Sequence, residues 1–127
     1  MMTTQEQNEL LLPNGTEFVC IINKMGRIER LIFQNGINIS NEKREMFTMG
    51  VRLQYTMQSD FDDEFGKVNY TITERNGFKF VSIPIHEGIL FGILNKSSDP
   101  FAFIKKISEM AISSKKLSES QGVVNQK

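Results

Sequence analysis

The sequence holds a single cysteine, Cys20, no tryptophan and only three prolines among 127 residues. One cysteine excludes an internal disulfide and leaves no second thiolate for a zinc site. Fifteen basic residues are matched by fifteen acidic ones, so the formal net charge is zero. No overall field then draws the chain to nucleic acid or to an anionic membrane surface. No apolar run approaches the ~20 residues that span a bilayer. Residues Met1–Glu9 lack the basic start and apolar core of a signal peptide. These absences predict a cytoplasmic protein with no membrane insertion and no nucleic-acid partner.

Catalytic chemistry is equally scarce. The one histidine, His86, stands beside Glu87 in an expected turn, where a surface role outweighs acid–base work. Cys20 falls in an apolar run and reads as inert packing. The acidic run Asp60–Glu64 lacks calcium-loop spacing, because Phe65 stands where the turn glycine belongs. Gly88 and Gly92 lie within a strand pattern, so they form no phosphate loop ahead of a helix. The reading is a protein that is not an enzyme, with no cofactor and no metal.

What is present is pattern. Asn76-Gly77 is the strongest short hairpin signal, since a type I′ turn needs positive φ at both central residues. A two-residue turn there sets Val68 against Ile85, Tyr70 against Ile83, Ile72 against Val81 and Glu74 against Lys79. One face of the ribbon becomes apolar and ends in an opposite-charge pair, as a correct register requires. Asn69, Thr71, Thr73, Ser82 and Pro84 occupy the other face, with Phe78 and Phe80 near the turn.

Two further runs, Phe18–Ile22 and Gly88–Leu94, are apolar at every position and predict central strands buried on both sides. Arg27–Phe33 interleaves charge with apolar residues and suits an edge. A long helix is predicted from Ser40 or Asn41, either of which can cap it. Its main stripe is Met46, Met49, Gly50, Leu53, Met57 and Phe61, expected to face the core, with Gly50 excused by close approach to another backbone. A second line, Phe47, Val51 and Tyr55, is left for wider burial or for a partner. Asp99-Pro100 starts a last helix.

Short connections make neighbours of consecutive strands. Joining the two buried strands gives a five-stranded antiparallel sheet in the order 2-1-5-4-3, an α/β (α+β) fold with helices on both faces. The expected domain runs over residues 17–116, after an arm or short helix at 1–16 and before a disordered tail at 117–127.

Phe61–Tyr70, Glu74-Arg75 and Ser82–Ile85 carry a more specific likeness. With the element order, this pattern resembles the roadblock (dynein light-chain) superfamily, whose fold is close to profilin and longin domains, and within it an archaeal roadblock-like family. The resemblance covers residues 17–110. It implies a homodimer or heterodimer in which strand 3 and the long helix meet their counterparts. It also implies a non-catalytic scaffold, often for a small GTPase or another protein partner. The expected contact residues are Phe47, Val51 and Tyr55 on the helix, Asn69, Thr71 and Thr73 on strand 3, and Phe78 and Phe80. A competing reading is a small-ligand sensor of the PAS or profilin-like type. That reading requires a cavity of about 300 Å³ or more between sheet and helix.

Overall fold

Seven residues, Thr16–Ile22, form β1, and six of them are buried. In the computed structural model, which describes residues 12–110, β1 pairs antiparallel with β2 (Ile28–Gln34) on one side. On its other side it pairs antiparallel with β5 (Gly88–Asn95). Next to β5 lies β4 (Phe78–Ile85), and β3 (Thr71–Glu74) closes the far side. The order is therefore β2-β1-β5-β4-β3, as the burial character of the strands predicted. By contact, Asn14–Pro100 is one compact unit, and residues 101–110 belong to a second. In that second unit the helical residues up to Met110 bury Phe103 and Ile107. The arm or helix expected at 1–16 falls mostly outside the described residues, and so does the tail at 117–127.

The hairpin register holds where the strand exists: Thr71 faces Ser82, Ile72 faces Val81, and Glu74 faces Lys79. Two details differ. Pairing with β3 begins only at Thr71, so Val68 and Tyr70 lie outside the ladder. Pro84 would sit opposite Asn69 and has no N–H to donate, while β4 stays paired with β5 as far as Ile85 and Gly88. The turn also departs from type I′, because Gly77 is not among the glycines with positive φ. It is closed instead by Arg75 N–H donating to the Phe78 carbonyl at 2.8 Å.

Helix α1 runs over Asn41–Ser59, 19 residues or about 28 Å. The hydroxyl of Ser40 caps it, accepting from Lys43 N–H at 3.2 Å, and Glu42 adds charge of the favourable sign in the first turn. At Asp60 the helix stops, and a short helix, α2 (Asp62–Phe65), starts over. That restart answers the problem posed by the acidic run. Asp62, Asp63 and Glu64 occupy a first turn, which favours anions, rather than a last turn, which opposes them.

One face of the sheet supplies Phe18, Cys20, Ile22, Ile89, Phe91 and Ile93, and α1 covers it with Phe47, Val51 and Tyr55. Phe47, Phe80 and Phe91 form a triad, with Phe47 meeting the other two edge-on at 5.2 and 5.3 Å between centroids. Such contacts add about 0.5–1.5 kcal/mol each beyond area burial. The opposite face, with Val19, Ile21, Val81, Leu90 and Leu94, is buried as well.

The turn between β1 and β2 fixes α1 along its length. Gly26 has φ +81°, and a Cβ there would stand 3.1 Å from the Met49 Cα. The helix can approach this closely because no side chain intervenes. Buried Thr48 donates its hydroxyl to the Gly26 carbonyl at 2.9 Å, satisfying an acceptor that the approach removes from water.

Burial also decides the chemistry of Cys20. Loss of hydration pushes its thiol from the ordinary 9.0 up to about 12, with Arg44 acting weakly in the other direction. The unfolded thiol ionises first, so the contribution is complete below about pH 9 and is lost as pH rises towards 12. The native protein should resist thiol-specific reagents at pH 8 and react fully once unfolded. Its urea midpoint should fall above pH 9, and Cys20→Ala should flatten that alkaline decline. Rapid labelling of the folded chain would show instead that this strand opens to solvent.

Candidate interaction surface

Side chains on α1 divide into two lines, and their assignment is the reverse of the one periodicity suggests. Phe47, Val51 and Tyr55, expected as contact residues, pack inward against the sheet. Met46, Met49, Leu53, Met57 and Phe61 face outward instead, with Leu53 60% and Met46 72% exposed. Gly50 lies on this outer side with nothing within 4 Å, so no neighbouring backbone explains it. Both lines have helical spacing, and the outer one is longer. Only the fit of aromatic rings against Phe80 and Phe91 decides which turns inward.

Phe80 belongs with the inward group, half-buried and with Arg75 over its ring at 5.6 Å. Phe78 remains at the surface, 37% exposed. Asn69 is exposed just before β3, and Thr71 and Thr73 are half-buried on it. Because β3 ends the sheet, no strand among the described residues pairs with its outer side. The fold thus leaves three features open to solvent: the outer line of α1, the free flank of β3, and the Phe78 end of the hairpin.

Scattered apolar side chains on a surface need no explanation, but a continuous row does. Here the row continues past the helix to Phe65, 84% exposed. Beside the first turns of α1 lies an open groove of about 490 Å³, lined by Ile39, Met46, Phe47, Phe80 and Ile93 and rimmed by Lys43 and Arg75. A second groove, about 470 Å³, follows Gly50, Leu53, Met57 and Phe61. A third hollow of about 360 Å³ places Arg27 and Arg44 beside Glu45. Arg44 donates there to the Asn41 side chain at 2.9 Å.

Two narrow gaps beneath α1 measure about 10 Å³ each, far below the ~300 Å³ a small ligand occupies. The larger hollows that α1 shares with the sheet, beside β2 and beside β4, lie open at the surface. Among the described residues, no three His, Cys, Asp or Glu side chains gather as a metal site. No described helix is long and apolar enough to cross a membrane.

Solved structures share this architecture. The roadblock/LC7 domain from Streptomyces avermitilis superposes with a TM-score of 0.65 at 11% identity, over 87% of this chain and 92% of that one. MglB in a tetrameric arrangement gives 0.68 at 8% identity, over 89% and 85%. The gliding protein MglB from Thermus thermophilus gives 0.63 at 9%, over 82% and 78%. No family model and no curated relative matches the chain by sequence. At these identities the likeness is one of fold, the fold that the roadblock/LC7 domain and MglB share with this chain.

Proposed function

We propose that this chain is a non-catalytic interaction module that works as a homodimer and scaffolds or regulates a small GTPase. The observation that carries the reading is the apolar row left outside on α1, together with a sheet edge that has no partner strand among the described residues. Burying five large apolar side chains from each copy supplies a hydrophobic centre of the kind stable interfaces have. The free flank of β3, with Asn69, Thr71 and Thr73, offers main-chain groups for strand addition. Phe78 extends the same surface. The GTPase part of the reading follows from the sequence resemblance. The fold shared with MglB, one of whose structures has a tetrameric arrangement, supports self-association.

Sedimentation velocity at low micromolar concentration tests the self-association directly. We expect a dimer of about twice the 14.6 kDa chain mass. A strict monomer under those conditions would remove the reading's main support.

A further inference from the structure

The hollow between β2 and the first turns of α1 is assembled from parts that hydrogen bonds hold in place. Asn23 closes the turn before β2: its Oδ1 accepts from Arg27 N–H at 3.1 Å, and its own N–H donates to the Arg27 carbonyl at 2.8 Å. The same turn is tied to α1 by the Thr48 hydroxyl, which donates to the Gly26 carbonyl at 2.9 Å. Arg27 from the turn and Arg44 from the helix therefore line one space of about 360 Å³. Arg44 is half-buried, and its guanidinium is steadied by donating to Asn41 Oδ1 at 2.9 Å.

Neither guanidinium makes an ion pair among the described residues, although Glu45 lines the same hollow. A planar fork of donors without a carboxylate on it is suited to take an oxyanion through paired hydrogen bonds. Asn41 is the first residue of α1, so the hollow also opens at the positive end of the helix dipole. Two arginines against one glutamate leave a single positive charge in excess. Across from them, Ile28 and Leu31 supply an apolar wall from β2, with Leu31 46% exposed. The volume falls in the range small ligands occupy, and the space is already formed in the single chain.

We propose that this hollow binds a small organic carboxylate with a short apolar body. The carboxylate sits between Arg27 and Arg44, and the body lies on Ile28 and Leu31. Glu45 sets the charge limit, because its own carboxylate opposes any ligand that brings more than one negative charge. The site is separate from the association surface: the outer row of α1 contributes nothing to its lining, and β2 is the sheet margin opposite β3. It therefore stands or falls independently of the homodimer.

Titrating phenylacetate into the whole isotope-labelled chain, followed by amide and arginine side-chain NMR, provides the test. We expect saturable shifts confined to the β1–β2 turn, β2 and the first turns of α1. Phenylethanol, which keeps the body and lacks the charge, should produce none. Arg27 is exposed, so Arg27→Gln should stay folded by circular dichroism and bind phenylacetate about 10-fold more weakly. Arg44→Gln should weaken it to a similar extent, and Glu45→Gln should tighten it about 3-fold by removing the opposing charge. No saturable shift at millimolar phenylacetate would overturn the site. So would equal binding of phenylethanol, or a folded Arg27→Gln variant that binds as the wild type does.

Discussion

Gly88→Ala should cost this protein several kcal/mol and leave much of it unfolded at 37 °C. A Cβ at Gly88 would run into the carbonyl oxygen of Ile22 and stand 3.0 Å from its carbonyl carbon and 3.2 Å from the Asn23 Cα. All three atoms belong to backbone, so no rotamer change relieves the collision. The strands affected, β1 and β5, are the central pair, and the register from Ile22–Ile89 upward would have to shift. A cost of about 3–5 kcal/mol is a large part of the stability of a domain this size. Gly50→Ala is the matched control. With open space around its Cβ position, it should raise helix propensity by roughly 0.5–1 kcal/mol in the isolated chain. Urea midpoints report both, and an unchanged midpoint for Gly88→Ala would show that the β1–β5 contact is looser than drawn.

Leu53→Glu should dissociate the proposed homodimer with little effect on the chain itself, whereas Tyr55→Glu should do the opposite. Leu53 sits in the middle of the outer row, with most of its surface in water. A carboxylate there is harmless in one copy, within about 0.5 kcal/mol. In the proposed homodimer, where this row is buried, it loses hydration with no cation to replace it, which should weaken association about 100-fold or more. Tyr55 packs against the sheet and has the Arg52 guanidinium 5.3 Å from its ring. Replacing it by Glu puts a charge where a ring was packed and should cost the fold roughly 2–3 kcal/mol. Sedimentation reads association, and urea denaturation at a concentration where every variant is monomeric reads the single chain; both are needed because dissociation and unfolding are linked in a dimer. If Tyr55→Glu leaves the midpoint unmoved while Leu53→Glu lowers it, the faces of α1 have been assigned the wrong way round.

That assignment marks the boundary of what the residues alone disclose. Strand order was legible because Phe18–Ile22 and Gly88–Leu94 are apolar on both faces, and only central strands tolerate that. Register was legible because a one-residue slip would separate Glu74 from Lys79 and turn Ile72 away from Val81. The helix was legible as a helix, cap included. Its inward face was not, because two apolar lines share one period and a hydrophobic count favours the longer. What reverses the choice is the fit of Phe47 between Phe80 and Phe91, a relation among residues far apart in sequence. Gly88 lies in the same apolar run as its neighbours, and nothing in that run signals that it makes room for the carbonyl of the adjacent strand. The charged rim of the groove was hidden for the same reason. Lys43 and Arg75 come from different elements, and nothing in their spacing announces that they flank one hollow.

The brevity of β3 bears on how growth by strand addition would end. At four residues it offers a newcomer very few main-chain groups, so added strands gain little from length. At the opposite margin, β2 carries Glu29 and Arg30, and its pairing with β1 is interrupted by two register shifts. Charge and irregular twist of that kind discourage stacking of the fibrillar sort. A ribbon that lengthens without limit needs two welcoming selvedges, and this molecule has at most one, cut short.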